Sequence, residues 1–246
     1  MLLKKIDSLN NNYIKELSKL KLKKYRDTEK KFLVEGYHLV EEAKDNLVEV
    51  LIVDEKDIVE GVSNILVTKE IIKKLSFSET PQMIIGVCKY LSYNENENFN
   101  KVLLLDDLQD PGNIGTLIRS ALGFGIDLVV LSNDSVDLYN DKLIRSSQGA
   151  LFKVKTVQKD IKEMISLLKK HNIKVFGTSL KNGKNLTSYE KMSSYGLILG
   201  NEGNGVKKDI LSITDENIFI EMNQELESLN VAISGAIIMH YFYSKH

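Results

Sequence analysis

Tryptophan is absent from this chain of 246 residues, proline occurs twice and cysteine once. The single cysteine, Cys88, has no internal disulfide partner. It lies in the apolar run Ile84-Ile85-Gly86-Val87-Cys88 and reads as a core residue rather than a nucleophile. One cysteine and four histidines give no zinc-like spacing, so no metal is expected. No apolar run reaches the ~18 residues of a membrane-spanning helix. The start, Met1-Leu2-Leu3-Lys4-Lys5, lacks the long apolar stretch and small-residue cleavage site of a secretory signal, so a cytoplasmic protein is expected.

Charge of one sign is also missing overall. The formal net charge is −1, which does not mark an obvious nucleic-acid binder. The distribution says more. Residues 1–31 hold ten Lys/Arg against four acids, an excess of six. Such a local excess can contact phosphates, or it can be no more than a solvated lysine-rich surface.

What is present is a chain of about 43% apolar residues, enough for one or two globular domains. Apolar Ile14, Leu17 and Leu20 predict a helix over 11–20, and the charged stretch 21–31 reads as a loop. A strand at Phe32–Glu35, a helix over 36–44, a strand over 48–53, a helix over 69–75 and an apolar strand over 83–89 imply a small α/β domain. Residues 91–100, rich in Asn and Glu, read as a linker. The boundaries are therefore 1–90, a linker at 91–100, and 101–246. Beyond the linker, short apolar strands at 102–105, 128–131, 175–177 and 196–199 alternate with helices at 115–123, 141–147 and 161–171. That pattern indicates a parallel sheet covered on both faces. A last helix spans 230–243, where Ser234, Gly235 and Ala236 permit close packing.

Three segments can carry chemistry. Asp106 to Arg119 joins a strand to a helix. Pro111 and Gly112 make the turn, Asn113 lies where an Asx side chain can bond free helix N–H groups, and Arg119 follows Gly115 by one helical turn. Such turns at the carboxyl edge of a parallel sheet commonly hold ligands, although a capped helix with a surface arginine has the same appearance. Leu199-Gly200-Asn201-Glu202-Gly203-Asn204-Gly205 follows a strand. Its glycines allow close backbone approach to a flat ligand, and it lacks both nucleotide phosphate-loop spacings. A strand at 218–222 then leads to Ser228-Leu229-Asn230, where Ser228 is suited to cap the last helix.

In this order and spacing the three segments resemble the motifs of the SpoU (TrmH-like) RNA methyltransferases of the SPOUT superfamily. The resemblance implies an α/β fold whose C-terminal parallel-sheet domain carries a deep trefoil knot, and it implies S-adenosylmethionine as cofactor. It places Thr178, Leu199, Gly200, Asn201, Gly203, Gly205, Ile220, Met222, Ser228, Leu229 and Asn230 at the cofactor, and Arg119, Asn113, Glu202, Ser228 and Asn230 at the chemistry. Lys142 to Ala150 resembles the family segment that borders the RNA site. Phe32-Leu33-Val34-Glu35-Gly36 and Thr80-Pro81-Gln82 resemble the small substrate-binding domain that many members carry. Glu221 stands where the family usually has proline and Gln224 where it often has glycine, which implies an altered loop. The implied activity is 2′-O-methylation of a ribose by a homodimer. The implied partner is RNA, ribosomal ahead of transfer RNA, and neither DNA nor membrane. A base-nitrogen or transfer-RNA acceptor, or an RNA-binding protein without catalysis, remains open at this point.

Overall fold

The computed structural model describes residues 3–93, 98–223 and 225–243, so the middle of the 91–100 linker and Gln224 lie outside the described residues. The first half of the chain forms β1 (Lys4–Ile6), α1 (Asn12–Lys19), α2 (Lys23–Glu29), β2 (Lys31–Glu35), α3 (Tyr37–Glu42), β3 (Leu47–Ile52), β4 (Ser63–Val67), α4 (Lys69–Leu75) and β5 (Ile84–Lys89). There follow β6 (Lys101–Asp106), α5 (Pro111–Gly123), β7 (Leu128–Leu131), α6 (Asp141–Ser147), β8 (Lys155–Gln158), α7 (Ile161–Lys170) and β9 (Val175–Thr178). The last elements are β10 (Lys184–Asn185), β11 (Tyr195–Gly200), α8 (Lys208–Leu211), β12 (Glu216–Phe219) and α9 (Val231–Phe242).

These elements make two compact units, Met1–Ser92 with Tyr139–Phe152, and Tyr93–Leu138 with Lys153–His246. The stretch 101–246 thus contributes an internal piece to the first unit. The reason is apolar cover. Tyr139 stacks on Tyr90 with ring centroids 3.9 Å apart and meets Phe32 at 4.6 Å, while Phe152 lies parallel to Phe32 at 6.3 Å. The Tyr139 hydroxyl also accepts from the Leu91 N–H at 2.9 Å.

The first unit carries a five-stranded mixed sheet in the order β1-β4-β3-β5-β2. β1, β4 and β3 run parallel, and β5 is antiparallel to both β3 and β2. Ile14 and Leu17 of α1 and Ile71, Ile72 and Leu75 of α4 pack with Leu33, Leu51, Ile65, Ile85 and Val87 of the sheet. Each such fully buried side chain contributes about 1.5–3 kcal/mol. Cys88 is buried here, and burial pushes its thiol pKa up, as fits a core residue. The stretch 21–31 is not a loop but contains α2. Its helical face was hidden because the buried residue is Arg26, only 7% exposed, whose Nη1 donates to the carbonyls of Leu20 and Lys21 at 2.8 Å. β1, three residues long, and β4 gave no readable periodicity.

The second unit carries a seven-stranded sheet, β10-β12-β9-β11-β6-β7-β8, parallel at every pairing. Met164, Ile165 and Leu168 of α7 cover one face, against Val102, Leu104, Val130 and Ile198. Helices α5 and α9 pack together on the other. At Gly235 a Cβ would stand 2.5 Å from side-chain atoms of both Leu117 and Leu199, so only glycine lets α9 seat this closely. The strand expected over 218–222 ends at Phe219, and Ile220 and Met222 belong to the following loop. Because every strand is parallel, the loops after β6, β9, β11 and β12 leave from the same edge of the sheet.

Candidate active site

Helix α5 begins at Pro111, a residue preorganised for the first helical position. Its cap is Asp110, whose Oδ1 accepts from the N–H groups of Gly112 at 2.6 Å and Asn113 at 3.0 Å. Asn113 therefore does not cap the helix, contrary to expectation, because the acid three residues earlier already does. Its side chain is left to reach across the chain: Nδ2 donates to Glu202 Oε1 at 3.1 Å, and Oδ1 accepts from Asn230 Nδ2 at 3.0 Å. Asn230, in turn, caps α9 by accepting from Ala232 and Ile233. The cap expected of Ser228 is corrected accordingly. The helix starts at Val231, which leaves Ser228 two residues short of the cap position.

Glu202 closes this chain of contacts. Besides Asn113, its carboxylate accepts from the backbone N–H of Asp110 at 3.3 Å and of Gln109 at 3.4 Å. Partial burial pushes its pKa up. Hydrogen bonds from its own backbone N–H, the Asn113 amide, and the Asp110 and Gln109 N–H groups outweigh that, and the carboxyl sits below its ordinary value. The loop after β11 is further shaped by Asn201, which donates to the Asp107 carbonyl at 2.9 Å and accepts from the N–H of Gly203 and Asn204. At Gly200 a Cβ would lie 2.1 Å from the backbone of both Gly205 and Val206, so the loop folds back onto its own start.

Behind this network opens a cavity of about 1010 Å³. Its wall includes Thr178, Leu199, Gly200, Asn201, Gly203, Gly205, Ile220, Met222, Ser228, Leu229 and Asn230, with Glu202 beside them. These residues come from the end of β9, the end of β11 with the loop after it, and the connection between β12 and α9, and were all singled out in the sequence. Thr178 is fixed by donating to the Ile198 carbonyl at 3.0 Å. Apolar Leu199, Ile220, Met222 and Leu229, with exposed backbone from the glycine loop, suit a flat heterocycle better than a phosphate chain.

Two residues singled out in the sequence stand apart, one expected at the chemistry and one a departure from the family pattern. Arg119 is exposed on α5, outside the cavity wall, and makes no hydrogen bond or ion pair among the described residues. Glu221 also lies outside the wall, and its carboxylate accepts from Asn185 Nδ2 at 2.7 Å. Sequence reading missed Asp106 and Lys207. Asp106 is 2% exposed and accepts from the Lys207 N–H at 3.0 Å, tying the far end of the glycine loop to β6. A carboxylate directly after an apolar strand was the available signal, but its partner is 101 residues away. Ser179, Lys181, Asn182 and Lys208, also in the wall, carried no signal.

Comparison with known proteins follows these features. The SpoU rRNA methylase family matches residues 100–240, and an MRM3-like substrate-binding domain matches residues 11–86. The 23S rRNA (guanosine(2553)-2′-O)-methyltransferase RlmP of Bacillus subtilis is 37% identical over 246 residues, covering 97% of this chain and 99% of that protein. Among solved structures, an AdoMet-bound rRNA methyltransferase from Sinorhizobium meliloti superposes with a TM-score of 0.88 at 23% identity, covering 98% of this chain and 97% of that one. An RNA 2′-O ribose methyltransferase superposes with a TM-score of 0.81 at 26% identity, covering 97% of both chains. With its three motif segments joined by the Asn113–Glu202–Asn230 contacts beside one cavity, and with matches along nearly its whole length, this chain belongs to the SpoU rRNA methylase family.

Proposed function

We propose that this enzyme transfers a methyl group from S-adenosylmethionine to a ribose 2′-hydroxyl of 23S ribosomal RNA. The first acceptor to test is the guanosine that matches the one named for the Bacillus subtilis relative. The observation that carries the reading is one cavity whose wall collects residues from the loops after β9, β11 and β12 at the carboxyl edge of the parallel sheet. Bound there, the cofactor supplies a methyl group on a sulfonium, activated for displacement. The residues of the chain hold and orient cofactor and acceptor, and the proton of the hydroxyl leaves to solvent water as the methyl is transferred. The apolar wall and the backbone of 199–205 take the adenosyl part. The Asn113–Glu202–Asn230 contacts keep the three loops in register at the mouth.

A ribose hydroxyl is a weak nucleophile, so its placement and its proton set the barrier. An arginine with a pKa above about 12 is a poor base. We assign Arg119 the task of donating to the hydroxyl oxygen and to a neighbouring phosphate, which stabilises alkoxide charge as it develops. Arg119 lies outside the cavity of its own chain, so the acceptor must reach it across α5 or a second copy must present it. We assign the latter, in a homodimer. Ile233 and Ile237 of α9 are 53% and 39% exposed, and Leu122 of the adjacent α5 is 41% exposed, which is apolar surface that a partner would cover. We further assign the trefoil knot of the superfamily to the segments 199–206 and 228–230, which share the cavity wall, and a cytoplasmic setting to the enzyme. The test is incubation with the cofactor and unmodified ribosomal RNA, then nucleoside mass spectrometry. A ribose-methylated guanosine is expected. A base-methylated nucleoside, methylation of transfer RNA alone, or no product overturns the reading.

A further inference from the structure

Folding separates two sets of cations within and beside the basic stretch of residues 1–31. Lys5, Lys19 and Lys23 face Asp7, Glu16 and Asp27. Arg26 is turned inward onto carbonyls, and Lys21 Nζ donates to the Ser76 carbonyl at 2.6 Å, with burial lowering its pKa. These cations are already answered within the protein.

The second group gathers at one end of the sheet of the first unit. Lys31 of the edge strand β2 lies directly opposite Lys89 of β5 in the antiparallel ladder. Lys30 precedes it, with Nζ 5.4 Å from the centre of the Tyr90 ring. Directly opposed residues share a face with Cβ atoms about 4.5–5.5 Å apart, and like charges there repel. None of the three lysines has an ion pair among the described residues. The neighbouring acids are engaged elsewhere. Asp27 is hydrogen-bonded to Lys23 and to the Tyr90 hydroxyl, with Lys30 acting on it only as a more distant charge, Glu29 adds its charge to Lys19, and half-buried Glu49, opposite Val87 on the next strand, faces Lys4.

A repulsive pair at a sheet edge, kept clear of its nearest carboxylates, is a site for an anion supplied from outside. Lysines are point charges without the planar fork that reads a base, so they suit a backbone and not a sequence. We propose that Lys30, Lys31 and Lys89 hold the phosphodiester backbone of the RNA substrate. This rests on the ribosomal RNA reading above and names where the first unit grips that RNA.

The test uses the full-length enzyme and unmodified 23S ribosomal RNA, with filter binding across a salt series. K31Q/K89Q should lower the log–log salt slope by about 1.4–1.8, at roughly 0.7–0.9 per lost contact. KM for RNA should rise while kcat and cofactor affinity stay within twofold. Its denaturation midpoint should be unchanged or higher, since a repulsion is removed. K31R/K89R should keep the wild-type slope, and K19Q/K23Q, which removes the same charge from ion-paired lysines, should also leave it unchanged. An unchanged slope in K31Q/K89Q, or an equal loss in K19Q/K23Q, overturns the site. A wild-type enzyme that leaves ribosomal RNA unmethylated overturns the substrate reading instead, whereas a methylating enzyme indifferent to K31Q/K89Q overturns this site alone.

Discussion

The two units place their polar groups in opposite ways. In the second, Asn113, Glu202 and Asn230 are drawn together from 89 and 117 residues apart and answer one another at the mouth of a cavity. In the first, Lys31 and Lys89 face each other with no ion-pair partner among the described residues. A site that positions reacting atoms fixes both the identity and the mutual geometry of its residues. A surface that attracts a polyanion fixes only charge. The first kind leaves motifs with spacing. The second leaves composition.

Arg119 is where that contrast is tested hardest, because it belongs to the second unit yet is exposed and, like Lys31 and Lys89 of the first unit, without a side-chain hydrogen bond or ion pair among the described residues. Arg119→Ala should lower methyl transfer by about 100- to 1000-fold, corresponding to roughly 3–4 kcal/mol of transition-state stabilisation. Cofactor affinity by calorimetry should stay within a few fold. Arg119→Lys should rescue poorly, because an ammonium cannot reproduce the guanidinium fork. Near-normal turnover in the alanine variant would remove Arg119 from the chemistry and leave the contrast without its exception.

Tyr139→Ala probes the first unit from the inside. The ring is buried against Phe32 and Tyr90, and its removal should cost about 3 kcal/mol of stability, as for large aromatic truncations. Urea unfolding should show the loss, while cofactor affinity measured in native buffer stays within about twofold. A larger effect on the cofactor than on stability would mean that the two units do not divide their tasks as described.

Much of the second unit was legible because its strands are continuous apolar runs and its motifs are spaced segments. Strand 128–131 emerged with the bounds read from sequence, as did helix 141–147, which belongs to the first unit. The cavity wall was legible residue by residue through resemblance, not through periodicity. What stayed hidden depended on tertiary partners. The cap of α9 fell to Asn230 instead of Ser228, and that of α5 to Asp110, because capping depends on where the first helical turn forms. In the first unit, counting cations over 1–31 included Arg26 and Lys21, which point inward, and omitted Lys89, which lies 58 residues after Lys31 and meets it only through strand pairing.

Gly200→Ala tests whether the glycine loop must fold back on itself. The new Cβ would meet the backbone of Gly205 and Val206, which cannot yield as a flexible side chain would. A penalty of about 1–3 kcal/mol is expected, read as roughly a 5- to 150-fold loss of cofactor affinity. Gly203→Ala is the control, since its Cβ would meet only Asn201 Oδ1 at an ordinary 3.6 Å. Equal effects from the two substitutions would show that the loop tolerates no change at all, and that close backbone approach is not the reason.

The smallest expected effect belongs to Glu216, a partly buried ionic hub of the second unit. It accepts from Lys174 at 2.7 Å, from Lys184 at 3.2 Å and from the Tyr189 hydroxyl, at the edge of the sheet where β12 runs beside β10. The Lys174 and Tyr189 hydrogen bonds, against a smaller opposing effect of burial, hold its carboxyl down to about 2 from an ordinary 4.5. A lowered carboxylate pKa means that the folded state favours the charged form. Its stabilisation is then complete above about pH 4.5, declines as pH falls towards 2, and is absent below. Tyr189 is pushed up to about 12 by burial and by that carboxylate, so it stays a neutral donor across the whole window. Glu216→Gln should therefore cost roughly 1 kcal/mol at pH 7, the scale of a partly exposed ionic network, and nothing near pH 2. Denaturant midpoints of the two proteins, followed from pH 7 to pH 2, should converge. Parallel curves would show that Glu216 acts through packing rather than charge, and that partly buried polar groups in this unit are not held by electrostatics alone.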